Sequence, residues 1–244
     1  MIDVEKVKPY NENDGKKKQI ARMFDQVAGS YDFLNRLLSL GIDVYWRKKA
    51  IAKLRNLQPG LVLDVASGTA DVALEIFRQL KVERITGIDI SEKMLELGRK
   101  KVIRAGAEGV IHLQIGDAED LQFSDNAFDA ITVSFGVRNF ENVEKGLQEF
   151  KRVLKPGGKL IVLEFSRPRV FPLKQLFNIY FRYILPFIGR VTSKDPRAYA
   201  YLYESVQAFP DRERFTVLME KSGFQNPVYE AWTAGIVCCY VGSK

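Results

Sequence analysis

Three carboxylates and one hydroxyl stand where short apolar runs end, and residues of those types at those places can bind a nucleoside. Asp64 ends the run Leu61 to Asp64, and the small-residue turn Ala66-Ser67-Gly68-Thr69-Ala70 follows it. Asp89 ends a second run, Arg84 to Asp89, twenty-five positions further on. Asp117 follows a third run, Val110 to Ile115, inside Gly116-Asp117-Ala118, and Ser134 follows a fourth, Asp129 to Val133. A carboxylate at the end of the second strand of an α/β unit can accept hydrogen bonds from both hydroxyls of a ribose. Gly68 lets backbone N–H groups approach a ligand closely, and the helix that starts after the turn aims its N-terminus the same way. As a dinucleotide fingerprint the turn is eroded, because alanine holds positions 66 and 70 where glycine is usual.

These residues need strands that all end at one edge. Strand and helix alternate from Leu61 through Phe165, with helix-forming Asp71 to Leu80 after the first strand and Ser91 as an N-cap after the second. Lys155-Pro156-Gly157-Gly158 stops a helix and feeds a fifth strand. That order predicts an α/β fold with a doubly wound, mostly parallel, Rossmann-like sheet whose ligand edge gathers the four strand ends. Pro227 to Thr233 and Ile236 to Gly242, separated by Ala234-Gly235, read as a C-terminal antiparallel hairpin. The chain is expected to be one domain: a mobile tail over 1–16, a helical cap over 17–58, and a core over 60–244 with a helical insertion at about 167–208. In the cap, Gly29-Ser30 is expected to break the first helix, with Ser30 capping a new one from Tyr31 to Ser39 and Asp43 starting a third.

Asp64 to Asp71, Gly87-Ile88-Asp89, Gly116-Asp117-Ala118, Phe128-Asp129 and Leu154 to Gly158 together resemble a class I S-adenosylmethionine (SAM) dependent methyltransferase. FDQVAGSYDFLN (Phe24 to Asn35), SFGVRNF (Ser134 to Phe140), RVLKPGGKLIVLEFS (Arg152 to Ser166), Tyr201 to Ser205 and Leu218 to Phe224 are similar to the ubiquinone/menaquinone C-methyltransferase family. The likeness runs from about residue 18 to the C-terminus. It implies a seven-stranded sheet with the terminal hairpin, SAM as cofactor, and a demethylated polyprenyl quinol as methyl acceptor, demethylmenaquinol before the benzoquinol of the ubiquinone pathway.

On that resemblance Asp89 holds the ribose, Asp117 accepts from the adenine amine, and Ala118 leaves room for the ring. Thr69 offers backbone N–H and hydroxyl contacts, Gly68 permits close approach, and Ser134 is a further cofactor contact. Asp64 reaches the amino-acid ammonium or else ties down the turn. Arg138, Asn139 and Tyr31 line the quinol side. Arg138 is a poor proton acceptor and would stabilise the quinolate oxygen, with Asn139 and Tyr31 orienting the ring. The plainer alternatives are an ion pair of Arg138 with Glu141 or Glu164, and core packing for Tyr31. His112, alternating with Ile111 and Leu113, reads as a strand residue.

Composition narrows the rivals. A chain of 244 residues with 46% hydrophobic residues can bury a full core. No run of eighteen apolar residues occurs and the N-terminus is too polar for a signal peptide, so a cytosolic protein is expected. Cys238, Cys239 and one histidine are too few for zinc chemistry, and no metal is expected. The net charge of +7 fits nucleic acid, an anionic membrane surface, or neither. After the fourth strand stands Ser134-Phe135-Gly136-Val137, in place of the Asn/Asp-Pro-Pro-aromatic of many base N-methylating enzymes, so nucleic acid is not expected. Arg167 to Arg190 carries five basic residues, six aromatics and no acid, with Leu173, Leu176, Phe177, Tyr180, Phe181, Ile184 and Leu185 on one helical stripe. It reads as a helix packed on the sheet or as a lid meeting a greasy substrate and a bilayer surface. A non-catalytic subunit of a quinone-synthesis assembly and a homodimer both stay open at this point. The hairpin ending argues against a nicotinamide dehydrogenase.

Overall fold

The structure, a computed structural model, describes residues 2–10, 13–184, 195 and 197–244, apart from the side chains of residues 37, 38, 181 and 184. Seven strands form one sheet: β1 (Leu61–Val65), β2 (Arg84–Asp89), β3 (Ile111–Ile115), β4 (Phe128–Ser134), β5 (Leu154–Phe165), β6 (Gln225–Trp232) and β7 (Val237–Ser243), in the order β3-β2-β1-β4-β5-β7-β6. The first five are parallel, while β7 runs antiparallel to β5 and β6 antiparallel to β7. The parallel interior follows from the continuous apolar runs, since a strand covered on both faces needs side chains that suit burial on each. β1 pairs with β2 on one side and β4 on the other, so the strand order reverses there. That reversal opens a crevice at the carboxyl ends of the strands.

Period-two alternation divides the core. Leu63, Val65, Val133 and Val162 face one layer with Leu147 and Phe150 of α6 (Val143–Val153) and Phe215 and Met219 of a later helix. Val62, Ile85, Ala130 and Ile161 face the other, against Trp46 and Ile51 of α3 (Ile42–Ala52), Ile76 of α4 (Asp71–Gln79) and Val102 of α5 (Glu92–Arg104). Each large apolar side chain so buried contributes about 1.5–3 kcal/mol. Bulging of Lys155 to Gly158 out of β5 separates the pairs Phe128↔Leu154 and Ala130↔Lys159, where the sequence predicts a plain turn.

Two expectations about the N-terminal region are corrected. Residues 1–16 were expected to be mobile, yet Asp3–Lys6 forms a short helix, α1, with Val4 fully buried. Glu5 Oε1 accepts from the Val143 backbone N–H at 3.0 Å, satisfying one of the unpaired donors at the start of α6. Lys16 Nζ donates to the carbonyls of Val4 at 2.7 Å and Arg138 at 3.1 Å. Nor does Gly29-Ser30 break the first long helix: α2 runs unbroken over Lys16–Leu38. Ser30 Oγ donates to the Val27 carbonyl at 3.3 Å, a back-bond that a helix tolerates. The glycine costs about 1 kcal/mol, and anchors on either side of it outweigh that cost. Asp25 accepts from Ser91 Oγ at 2.6 Å, Asp32 from Lys101 Nζ at 2.9 Å, and Arg36 bridges Asp43 at 2.7 Å and Asp71 at 3.0 Å.

The basic-aromatic segment begins as α7 (Leu173–Ile179) and a π-helical turn over Tyr180–Ile184. Phe177 is buried in a cluster with Leu34, Tyr199 and Val206, against which Phe165 at the end of β5 also packs, while Leu173, Leu176 and Ile179 are exposed. Leu185 and the rest of the expected helix to Arg190, with the side chains of Phe181 and Ile184, lie outside the described residues. Two helices, α8 (Arg197–Ala208) and α9 (Glu213–Lys221), lead to the hairpin.

Candidate active site

The turn after β1 is built of left-handed residues. Ala66, Gly68 and Ala70 have φ of 53°, 54° and 66°. An alanine held there costs roughly 1–2 kcal/mol, and surrounding hydrogen bonds enforce it. Ser67 N donates to the Ile88 carbonyl at 3.0 Å, Ser67 Oγ to Asp64 Oδ2 at 2.8 Å, and Gly68 N to Asp89 Oδ2 at 2.8 Å. The turn is therefore strapped to the ends of β1 and β2, and its two alanines take the backbone conformation that glycine usually supplies.

A solvent-open cleft of about 660 Å³ lies over these strand ends. Gly68, Asp89, Asp117, Ala118 and Ser134 line it from the sheet side, and Asn139 from the 3₁₀ turn Val137–Asn139 that follows β4. Lys17, Ile20, Phe24 and Tyr31 line it from α2, so the long helix forms its roof. Asp89 also accepts from Ser91 N at 2.9 Å, and burial lifts its carboxyl to about 6 against the backbone donors that favour the charge. Asp117 accepts from Lys17 Nζ at 2.5 Å and Glu119 N at 2.9 Å. The donor and acceptor set suits SAM: carboxylates at the ends of two neighbouring strands, a small side chain beside the second, and an open backbone at Gly68, where an added Cβ would meet nothing within 4 Å.

Two of the expected cofactor residues do not line this cleft. Asp64 is buried behind the turn, its oxygens taken by Ser67 Oγ at 2.8 Å and Thr132 Oγ1 at 2.6 Å, and burial lifts its carboxyl to about 6. Its hydroxyl partners make it the residue that ties down the turn. Thr69 turns its hydroxyl to Asp32 Oδ1 at 2.6 Å and accepts from Lys101 Nζ at 3.0 Å, within a network that continues through Asp71, Arg47 and Asp43. Its hydroxyl joins the turn to α2 and α5. A residue that braces the turn has the same sequence signature as a ligand contact, which is why the motif alone does not separate them.

A second, apolar cavity of about 1760 Å³ adjoins the first, and Phe24, Tyr31 and Phe135 line both. Val27, Leu34, Trp46 and Phe165 are among its apolar walls, and Arg47 and Arg138 are buried cations in its lining. Arg138 Nη1 donates to Glu164 Oε1 at 2.8 Å and to the Phe135 carbonyl at 2.5 Å, so the expected ion-pair alternative with Glu164 is realised. Glu164 is fully buried and burial pushes its carboxyl up, opposed by the guanidinium. Arg138 Nε is buried with no partner, a donor left over after that pairing. Asn139 Oδ1 accepts from Tyr201 OH at 3.1 Å, which leaves the amide N–H groups for another acceptor. Burial also pushes the Tyr31 phenol up. The sequence marks Tyr201 only within a family-like block and gives no role to Phe24, Phe135 or Lys17; aromatics in apolar runs read as core until a cavity is seen beside them.

The sequence profile of the ubiE/COQ5 methyltransferase family matches residues 12–244. The chain belongs to that family. The demethylmenaquinone methyltransferase of Bacteroides fragilis is 46% identical over 98% of each chain, and that of Porphyromonas gingivalis 43% over 100% of each. The ubiquinone/menaquinone biosynthesis C-methyltransferase UbiE of Geotalea daltonii is 46% identical over 94% of this chain and 97% of its own. Among solved structures, a SAM-dependent methyltransferase of Thermotoga maritima superposes with a TM-score of 0.65 at 21% identity, covering 92% of this chain and 99% of that one. One from Methanococcus maripaludis gives 0.60 at 20% identity, covering 96% and 97%. At those identities the structural likeness establishes the fold, a class I SAM methyltransferase sheet. The methyltransferase thus has its polar cleft where that fold places a ligand.

Proposed function

We propose that this methyltransferase uses SAM to methylate a ring carbon of a demethylated polyprenyl quinol, demethylmenaquinol foremost. The meeting of the polar cleft and the apolar cavity at Phe24, Tyr31 and Phe135 carries this reading. The cavity's predominantly apolar lining, with Val27, Leu34, Trp46, Phe135, Phe165 and Phe177 among its walls, suits a fused ring and the start of an apolar tail. SAM supplies the methyl group from its sulfonium when bound in the cleft.

The residues divide the work. Asp89 accepts from the ribose hydroxyls, Asp117 from the adenine amine beside Ala118, and Gly68 and Ser134 approach the remainder of the cofactor. Asp64 and Thr69 act one step back, by holding the turn. On the acceptor side a deprotonated ring hydroxyl spreads negative charge to the ortho carbon that is methylated. The guanidinium of Arg138, which lines the apolar cavity, is the donor for that oxygen, and it stays charged throughout, so it stabilises the quinolate without taking the proton. Asn139 and Tyr31 orient the ring.

A polyprenyl acceptor resides in lipid, so the reading includes peripheral contact of a cytoplasmic enzyme with the inner face of a bilayer. Exposed Phe171, Leu176 and Ile179 in the basic segment support it, and among the described residues no helix is long and apolar enough to cross a membrane. Incubating the purified protein with labelled SAM and each demethylated quinol tests the activity. Label in the naphthoquinol product is expected, and transfer to neither quinol sinks the assignment.

A further inference from the structure

Helix α7 separates two unlike cavities. Leu173, Leu176 and Phe177 line the apolar one, whereas Lys174, Phe177 and Asn178 line a polar cavity of about 850 Å³ on the other side. Arg167 and Arg169 after β5, Gln207 of α8, and Asp211 and Arg214 at the start of α9 complete its walls.

The charges do not balance inside it. Asp211 is taken by Arg167, accepting from Nη2 and from the backbone N–H at 2.9 Å each. Arg169 pairs with the exposed Glu213 at 2.8 Å. Lys174 and Arg214 remain, and neither side chain has a hydrogen bond or ion pair among the described residues. Two unpaired cations around one cavity repel each other, and an anion between them removes the repulsion and adds charge-assisted hydrogen bonds. The same stretch exposes Val170 at 65% and Phe171 at 76%, beside Leu176, Ile179 and Tyr183. Leu40, 84% exposed, and Ile42 stand among the residues lining the apolar cavity, so its mouth carries uncovered apolar surface too. Cations beside apolar side chains that water covers match the polar and acyl layers of an anionic bilayer.

We propose that the polar cavity receives the phosphate of an anionic phospholipid headgroup, held by Lys174 and Arg214. This rests on the membrane-contact reading above and adds the site that confers lipid selectivity. With the headgroup seated there, α7 lies at the bilayer surface and the apolar cavity opens toward the acyl chains where a polyprenyl tail resides.

Vesicle cosedimentation at low salt tests it, with phosphatidylcholine alone or mixed with phosphatidylglycerol, for the wild type and the Lys174→Gln/Arg214→Gln variant. Wild-type protein is expected to bind the mixed vesicles, and the variant to bind them at least tenfold more weakly, since each cation near an anionic surface is worth about 1 kcal/mol. Both are expected to share one melting temperature and one methyl-transfer rate with quinol in detergent micelles. Equal binding of the mixed vesicles by both proteins overturns the site while membrane contact stands. Equal binding of the two vesicle types by the wild type does the same. Binding to neither overturns membrane contact itself. If, in that case, inorganic phosphate raises the melting temperature of the wild type but not of the variant, the cavity holds free phosphate and the lipid assignment fails.

Discussion

At Arg138 one side chain has two jobs that a single substitution confounds. It neutralises Glu164, which is fully buried, and its side chain is among those lining the apolar cavity. Arg138→Met strands the carboxylate and should cost about 3–5 kcal/mol of stability. Adding Glu164→Gln should restore most of the melting temperature, since it removes the uncompensated charge, yet leave methyl transfer abolished and SAM affinity intact. Wild-type turnover in the double variant would reduce Arg138 to a structural partner. Asp89 gives a pH test with a definite sign. Its carboxyl, lifted to about 6 by burial, must be ionised to accept from both ribose hydroxyls, so SAM affinity measured by calorimetry should fall as pH drops through 6. Asp89→Asn should bind SAM more weakly at pH 7, by tenfold or more, and lose that pH dependence. Stability shifts oppositely: a native acid with a raised pKa favours the protonated folded state, so the cost of burying this charge disappears between about pH 6 and 4.

Elements decide which of these residues can cooperate. The turn after β1 and the turn after β4 touch at Gly136, where an added Cβ would stand 2.6 Å from Ala66 Cβ and 3.2 Å from Val133 Cγ1. Gly136→Ala should push the two apart, at about 1–3 kcal/mol. The expected result is a melting temperature several degrees lower and weakened SAM binding, and unchanged affinity would show that the turns move independently. That close approach was invisible in the motif, because a glycine in a loop signals a turn as readily as a contact. The helix that roofs the cleft behaves similarly. Its apolar positions Ile20, Phe24 and Val27 were readable as one stripe, but the continuity of α2 through Gly29-Ser30 depends on Asp25, Asp32 and Arg36 reaching groups 35 to 69 residues away in the chain. Local propensity has no information about such partners.

For the molecule as a whole, the N-terminal residues are part of the packed structure. Val4→Asp places a carboxylate in a fully buried position and should lower stability by about 3 kcal/mol or more, read by thermal melting. An unaltered melt would return residues 3–6 to the mobile tail that their polar composition suggests. Strand order and ligand edge were readable from the chain because each parallel strand is a short apolar run ending in a polar turn, a pattern fixed by burial on both faces and by period-two geometry. The carboxylates at 89 and 117 were readable for the same reason, each standing where its strand ends. That the Asp64 carboxylate and the Thr69 hydroxyl are taken up by protein groups was decided only in three dimensions, by the nearby Ser67 together with Thr132, Asp32 and Lys101, which lie 32 to 68 residues away. The pairing of a polar cleft with an apolar cavity across Phe24, Tyr31 and Phe135 belongs to the tertiary structure too, since an aromatic in an apolar run is written identically whether it fills a core or borders a void.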